Sequence, residues 1–326
     1  MHDHAGQDQT EGQPPQALPA RAGARQAQAR RPLVLAAAVV AAYLVVEVAG
    51  ALISGRLALL ADAAHTASDV GALGLALFAS WAAGRPASPE RSFGYLRAEV
   101  LAAVVNGAAL LVIAAVIFGE AFGRIGSPPE VRGGVVSIVA SGGIAANVVA
   151  AVLLLRSSRT NMAVRAALFH VGGDALGSAG AVVAGLLVVA FGWHAADPIV
   201  SVFIGLLLVV AAVRVLREAT HVLLEGTPVH VDLMALRDDI EGMADVEGCH
   251  DLHTWTIASG YHALSAHVTI CDDCAGQRVR ELQGRLRSMV SETYGIAHVT
   301  IQLERSDGAC VEEGHVPAPA AGARPR

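Results

Sequence analysis

The chain has few charged residues, and none of them is lysine. Charged residues make up 16% of the 326 residues and hydrophobic ones 54%, which excludes an ordinary soluble composition and favours several membrane spans. All 23 basic residues are arginine, and they form no dense run with interleaved aromatic residues, so we expect no nucleic-acid binding. The sequence also lacks an HExxH motif, which an intramembrane metalloprotease would need, and we therefore expect that it is not an enzyme.

Six apolar segments follow one another between residues 33 and 216. A helix needs about 20 apolar residues to cross the hydrocarbon core of a bilayer. The sequence therefore predicts six transmembrane helices, at residues 33–54, 57–83, 97–122, 133–155, 166–192 and 197–216. The ends of the chain, residues 1–31 and 306–326, are rich in Pro, Ala and Gly and are predicted to be disordered tails.

The arginines between the predicted spans are unevenly distributed. Those of the N-terminal tail, of the loops after the second and fourth spans and of the end of the sixth span lie on one side of the membrane. Only Arg56, Arg124 and Arg132 lie on the other side. Since positively charged loops stay in the cytoplasm, we expect a multi-pass protein with both termini in the cytoplasm.

Two pairs of ionisable residues interrupt the apolar segments. His65 and Asp69 lie four residues apart in the second predicted span, and His170 and Asp174 have the same spacing in the fifth. In a helix this spacing stacks the imidazole and the carboxylate on one face, about one turn apart. Ionisable groups inside a membrane are costly and mark ion pathways or proton relays. Two such helices would offer two imidazoles and two carboxylates, a four-coordinate ligand set that suits zinc.

The charges of this ligand set also indicate a mechanism. Two carboxylates, two neutral imidazoles and one divalent cation sum to zero, and so do the same groups without metal when both imidazoles are protonated. Metal and protons therefore compete for one set of ligands, and imidazole titrates near physiological pH. The sequence thus predicts that a divalent cation is exchanged for protons.

Single polar residues interrupt three other predicted spans, namely Glu47, Asn106 and Asn147. One polar residue in a helix bundle commonly forms a hydrogen bond to a neighbouring helix. We expect this structural role for Asn106 and Asn147.

After Glu225 the composition changes to that of a small soluble domain. Helices are predicted at 231–243 and 277–294, and strands at 250–257, 261–270 and 297–304, with a tight Ser259-Gly260 turn. The α-β-β-α-β order predicts an α+β domain with its helices on one face of a sheet. We therefore divide the chain into a transport domain at 32–220 and a C-terminal domain at 221–305, between the two tails.

A set of motifs along the chain is typical of one family. In order, the motifs are EVAGALISGRLALLADAAHTASD, FGYLRAEVLAAVVNG, HVGGDALGSAG, LLEGTP and HDLHTWTIASGYHALSAHV. Over about residues 33–305 the sequence resembles the cation diffusion facilitator family, in particular its bacterial zinc exporters. The resemblance implies a membrane all-α six-helix transmembrane domain and a cytoplasmic α+β metallochaperone-like domain. It also implies a homodimer in the bacterial inner membrane that exports divalent metal by proton antiport through alternating access.

The resemblance assigns roles to particular residues. The family's transport ligands fall on His65, Asp69, His170 and Asp174, and a histidine at the first of these positions is associated with zinc preference in the family. Zn²⁺ is then the transported substrate and a possible regulatory ligand, and no cofactor is implied. The runner-up cargoes are Cd²⁺, Co²⁺ and Ni²⁺. A membrane metal sensor that does not transport is an alternative of a different class, and net flux distinguishes it from a transporter.

The resemblance also implies a second site, in the C-terminal domain. His250, His267 and Glu304 match positions at which family members bind metal, and Cys310 is a further candidate ligand. In some relatives an N-terminal histidine motif of the partner subunit completes this site, a role open to residues 2–4, His-Asp-His. The alternative for His250 and His267 is two strand histidines that pack or form hydrogen bonds.

The cysteines are few and lie in one part of the chain. Cys271 and Cys274 form a CxxC motif, which fits a redox pair, half of a zinc site or a plain loop. All four cysteines lie on the predicted cytoplasmic side, where thiols stay reduced. We therefore expect no structural disulfide.

Overall fold

The computed structural model describes residues 18–54, 57–124, 135–193 and 196–305. In these residues six long helices come first and a small α/β unit follows. Alanine and leucine, two of the best helix formers, recur in all six helices. The bounds of the helices are α1 Leu18–Ser54, α2 Leu57–Ala83, α3 Ala98–Arg124, α4 Val135–Leu154, α5 Met162–Phe191 and α6 Ala196–Leu223.

Large apolar side chains point outward from this helical part. Val45, Phe78 and Val112 are each at least 60% exposed. Such a surface is unfavourable in water and suits a lipid environment. Four stretches of the described residues are apolar and long enough to cross a membrane, namely Arg30–Gly50, Thr66–Ala83, Ala98–Gly123 and Pro198–Leu223. The predicted all-α transmembrane domain is confirmed, with a helix at each of the six predicted spans.

The six helices form one bundle. Helix α1 packs on α2 and α4, α3 packs on α6, and α5 contacts α2, α3, α4 and α6. Small buried residues line the shared core of α1, α2, α4 and α5, among them Ala36, Ala76, Ala150 and Ala167. Small side chains allow helix backbones to approach closely, which is how helices associate in lipid. Because α5 touches α2, the two ionisable pairs of the sequence lie on neighbouring helices.

The N-terminal tail is shorter than predicted. Helix α1 begins at Leu18, so residues 18–31 are helical and continue into the first span. After Leu18 and Pro19 this stretch is made of Ala, Arg, Gln and Gly, and the first three favour helix. Residues 1–17, which include the His-Asp-His motif, lie outside the described residues.

The C-terminal unit has the predicted α-β-β-α-β order. Strand β2 pairs with β1 in antiparallel and with β3 in parallel orientation, which gives the sheet order β1-β2-β3. Buried leucines, isoleucine and valine of both helices share one core with Leu264, Ala266 and Val268, alternate residues on one face of β2. Its elements are α7 Leu233–Glu241, β1 Val246–Ala258, β2 Tyr261–Ile270, α8 Gln277–Tyr294 and β3 His298–Arg305.

The tip of the β1–β2 hairpin joins the two parts of the chain. The predicted turn is present, with Gly260 at φ +69°, a conformation that glycine adopts without strain. Ser259 donates its backbone N–H to the buried carboxylate of Glu99 at the start of α3, at 2.5 Å. Leu96, just before α3, packs in one cluster with Ile257 and other hairpin residues. The C-terminal unit is therefore anchored to the ends of the helices.

Candidate metal centres

Three of the four residues predicted for the transport site come together inside the bundle. Asp69 lies in α2, and His170 and Asp174 lie one turn apart in α5. One ligand atom of each lies within 4.8 Å of the others, and Nε2 of His170 is 3.3 Å from Oδ1 of Asp69. Asp69 is 1% exposed and His170 2%. A carboxylate and an imidazole at such depth need each other or a cation, because burial without a partner is costly.

The fourth predicted residue is His65. Its backbone lies in α2, one turn before Asp69, so it is on the same face of the helix. Its side chain lies outside the part of the chain whose side chains are described.

An asparagine of α4 also belongs to this cluster. Asn147 Nδ2 donates to Oδ2 of Asp69 at 3.3 Å, and the asparagine is 9% exposed. The bond does join two helices, as predicted, but its acceptor is a candidate metal ligand, which the sequence did not indicate. Asn106 has the predicted role, since its Nδ2 donates to the carbonyl of Ala72 in α2 at 3.3 Å.

The second predicted cluster forms on the sheet of the C-terminal unit. His250 of β1 stands opposite His267 of β2, and the centres of their rings are 5.3 Å apart. Glu304 of β3 joins them, with Oε1 2.9 Å from Nδ1 of His267 and Oε2 3.4 Å from Nε2 of His250. Glu304 is buried, while the histidines are partly exposed. The three residues thus converge from three strands. Cys310 lies outside the described residues.

Two known protein-family domains match the two parts of the chain. The cation efflux transmembrane domain matches residues 33–224, and the cation efflux protein cytoplasmic domain matches residues 228–306. The chain belongs to the cation efflux family. This is the cation diffusion facilitator family that the motifs resemble, and its members are transporters rather than enzymes.

Curated members of the cation efflux family resemble the chain over most of their length. The cadmium, cobalt and zinc/H⁺-K⁺ antiporter of Bacillus subtilis is 37% identical over 279 residues, covering 84% of this chain and 89% of that protein. The zinc transporter ZitB of Escherichia coli is 38% identical, covering 84% and 87%. The metal cation efflux system protein CzcD of Cupriavidus metallidurans is 37% identical, covering 84% and 86%.

A solved structure also matches. The metal-bound C-terminal domain of the CzcD transporter from Cupriavidus metallidurans is 36% identical, covers 23% of this chain and 99% of that one, and has a TM-score of 0.21.

Cys249 of this cation efflux protein is adjacent in sequence to the cluster of His250, His267 and Glu304 but is not part of it. Cys249 precedes His250 but is 3% exposed and packs in the core beneath the sheet. Burial, and to a smaller extent the charge of Glu241, raises the pKa of Cys249 to about 11. Its thiol is therefore neutral at physiological pH, and a neutral thiol is a poor metal ligand.

The prediction that the chain has no structural disulfide is wrong. Cys271 and Cys274 are joined by a disulfide bond, and their Cα atoms are 5.5 Å apart. A reducing compartment favours free thiols, but the turn after β2 brings the two side chains together at the separation that disulfides require. Asp245, which the sequence did not indicate, lies beside them.

Proposed function

We propose that this protein exports zinc from the cytoplasm in exchange for protons, through a buried site made of His65, Asp69, His170 and Asp174. The observation that carries the proposal is the convergence of Asp69, His170 and Asp174, whose ligand atoms lie within 4.8 Å of one another in the helix bundle. His65 is the fourth ligand in this proposal because it lies one helical turn from Asp69.

The chemistry of the ligands supports zinc as the cargo. Imidazole nitrogen suits borderline cations such as Zn²⁺, whereas a set of oxygen ligands alone would suit harder ions such as Mg²⁺. Two nitrogens and two carboxylate oxygens match the tetrahedral coordination that Zn²⁺ prefers. Asn147 supports the site by donating to Oδ2 of Asp69, which leaves Oδ1 directed at His170. Such supporting hydrogen bonds orient metal ligands.

The balance of charge supports exchange for protons. Asp69 is buried and Asp174 half-buried among apolar helices, where two carboxylates attract cations strongly and a divalent metal neutralises both. When the metal leaves, protons on the site take over that role, so the empty site can reorient without an uncompensated charge. Alternating access then carries metal outward and protons inward. The antiporter from Bacillus subtilis, whose name includes H⁺, supports the coupling.

The remaining parts of the proposal concern location and assembly. We propose the bacterial inner membrane, as the resemblance to bacterial zinc exporters implies, and the arginine distribution supports both termini in the cytoplasm. We propose a transport domain at 32–220 and a cytoplasmic domain at 221–305 that forms a homodimer. In that domain His250, His267 and Glu304 bind a regulatory Zn²⁺, with Cys310 as a further candidate. The 2.9 Å and 3.4 Å distances from Glu304 to the histidines support this second site.

The test is zinc-for-proton exchange in proteoliposomes under an imposed pH gradient. Asp69→Asn removes the charge at nearly constant shape, and Asp238→Asn makes the same change at an exposed position on α7. We expect zinc uptake coupled to proton release in the wild type and in Asp238→Asn. In Asp69→Asn the initial rate of zinc uptake should fall more than about tenfold. Removing a residue that only supports a metal ligand already lowers metal affinity or activity by about tenfold or more.

Two results would overturn the proposal. Full coupled transport by Asp69→Asn would refute the intramembrane site. A wild-type protein that binds zinc but moves none would support the membrane metal sensor instead.

A broader cargo is the second candidate function. Two relatives favour it, because the Bacillus subtilis protein is named for cadmium, cobalt and zinc, and CzcD is named for metal cations in general. Competition of Cd²⁺, Co²⁺ and Ni²⁺ with zinc uptake in the same proteoliposomes decides between a zinc exporter and an exporter with another main cargo.

A further inference from the structure

Two cysteines and an aspartate form a third cluster of potential ligands, at the end of the sheet. Asp245 immediately precedes β1, and Cys271 and Cys274 follow β2. One ligand atom of each lies within 4.8 Å of the others. We call these three residues the cysteine cluster. We call His250, His267 and Glu304 the histidine cluster. Cys271 lies four positions after His267. This spacing is about 13 Å of extended strand, so the cysteine cluster is distinct from the histidine cluster.

Backbone hydrogen bonds hold the cysteine cluster in place independently of the disulfide. The N–H of Cys271 donates to the carbonyl of Asp245 at 3.2 Å, and the N–H of Cys274 donates to the carbonyl of Cys271 at 3.0 Å. The guanidinium of Arg305, at the end of β3, donates to the carbonyl of Cys274 at 3.2 Å. None of these bonds uses a sulfur atom, so breaking the S–S bond removes none of them.

Two arginines contact the aspartate of the cluster. Oδ1 of Asp245 accepts from Arg278 at 2.5 Å, and Oδ2 lies 3.6 Å from Arg285. A CxxC spacing favours the thiolate, which is the form that binds metal. The two arginines do not saturate Asp245, because a carboxylate has about four acceptor positions.

We propose that the reduced cysteine cluster binds one thiophilic divalent cation, such as Zn²⁺ or Cd²⁺, through the sulfurs of Cys271 and Cys274 and a carboxylate oxygen of Asp245. Two thiols of a cytoplasmic reductant such as glutathione break the S–S bond, which yields two cysteine thiols and one disulfide of the reductant. The cation then binds two thiolates, and two protons leave. This chemistry depends on the cytoplasmic location given under the proposed function, where thiol pools keep disulfides reduced.

The number of ligands determines the character of this site. Two sulfurs and one oxygen occupy three positions of a tetrahedral cation and leave the fourth open. A closed four-ligand site retains zinc for structural purposes, whereas an open position allows exchange with another ligand. The cysteine cluster is therefore a redox-controlled exchange site, present in the reduced protein and absent when the disulfide forms.

The test uses the full-length protein in detergent and Cd²⁺ as the probe. Cadmium thiolates absorb in the ultraviolet, and the histidine cluster contributes no such band because its described ligands contain no sulfur. We expect a saturable thiolate band in the reduced protein and a smaller one after oxidation to the disulfide. In a Cys310→Ser background, which removes the candidate sulfur ligand of the other site, the double variant Cys271→Ser, Cys274→Ser should lose the band. The matched controls Cys249→Ser and Cys310→Ser should keep it.

The role of Asp245 is tested separately. Its φ of +78° is a conformation that asparagine also tolerates, so Asp245→Asn keeps the backbone. We expect the Cd²⁺ affinity, measured by titration of the thiolate band, to fall about tenfold or more. Loss of a residue that only supports a metal site already has an effect of this size. Asp251→Asn is the matched control, since Asp251 also has a positive φ, of +48°, and lies outside the cluster. Its affinity should be unchanged.

Three results would refute the proposal: equal bands in the reduced and oxidised proteins, a band that survives in the double-serine variant, and a band that disappears in Cys310→Ser. An Asp245→Asn protein with wild-type affinity would remove the carboxylate from the site. None of these measurements involves transport, so they stand or fall separately from the zinc-for-proton exchange.

Discussion

Removing the carboxylate of Glu99 tests how the two domains are joined. Glu99 is 0% exposed and accepts hydrogen bonds from Nδ2 of Asn161 at 2.8 Å and from the backbone N–H of Ser259 at 2.5 Å. Ser259 also accepts, through Oγ, the N–H of Met162 in the first turn of α5 at 3.2 Å. A single carboxylate thus connects α3, the start of α5 and the hairpin tip.

The cost of Glu99→Ala follows from what it leaves behind. The amide of Asn161 and the N–H of Ser259 would lose their acceptor inside the protein, and each buried unsatisfied donor costs about 1–3 kcal/mol. We expect a total of about 3 kcal/mol. With an unfolding entropy of about 2.1 cal/mol/K per residue, a chain of 326 residues loses about 1.5 °C of Tm per kcal/mol, so Tm should fall by roughly 4–5 °C. Glu99→Gln keeps one acceptor oxygen and should lose about half as much.

The assay is thermal unfolding of the full-length protein in detergent, followed by tryptophan fluorescence. The matched control is Glu225→Gln, because Glu225 also joins the two domains, through Arg97 at 3.1 Å, but both partners are exposed. Exposed ion pairs contribute about 0–1 kcal/mol, so this variant should unfold close to the wild-type temperature. If Glu99→Ala unfolds within about 1 °C of the wild type, or no lower than Glu225→Gln, the carboxylate does not anchor the hairpin.

Two further predictions concern pH and packing. Burial raises the pKa of Cys249 from 9.0 to about 11, so between these pH values the folded chain keeps a proton that the unfolded chain loses. The Tm of the wild type should therefore fall as pH rises from 9 to 11. In Cys249→Ala, which has no thiol at this position, Tm should fall less steeply over the same range. A Cβ on Gly142 would lie 2.8 Å from the ring of Tyr43, whereas one on Gly71 would meet nothing within 4 Å. Gly142→Ala should therefore lower Tm, and Gly71→Ala should leave it unchanged or raise it slightly; the reverse order would contradict the packing of α1 on α4.

Local patterns predicted the elements of the C-terminal domain well. The alternation in Tyr261–Ile270 and the helical periodicity in Gln277–Tyr294 define both elements with the bounds that the structure has. The start of α1 was missed because a tail of Ala, Arg and Gln is compatible with both helix and disorder, and its continuation into an apolar span favours helix. The periodicity of apolar residues therefore identifies helices and strands more reliably than it locates their ends.

The candidate sites show a similar division. The spacing of His170 and Asp174 indicated a shared helix face, and the structure brings Asp69 to it. The partner of Asn147 could not be predicted, since the bond to Asp69 spans 78 residues and depends on how α4 packs. Asp245 was missed for the same reason, because it meets the CxxC motif only through the pairing of β1 with β2. Spacing along a helix is a local property, whereas contacts between elements follow from tertiary packing.

The hydrogen bonds of Glu99 connect the hairpin tip to the start of α5. Asn161 donates to Glu99 and also accepts, through Oδ1, the N–H of Val164, so it caps α5 while contacting the anchor. His170 lies eight residues after Met162, a rise of about 12 Å along the same helix. The hairpin tip is therefore connected, through Glu99 and Asn161, to the capped start of the helix that carries His170. A displacement of the tip must either break the bonds of Glu99 or move the start of the helix that carries His170 and Asp174.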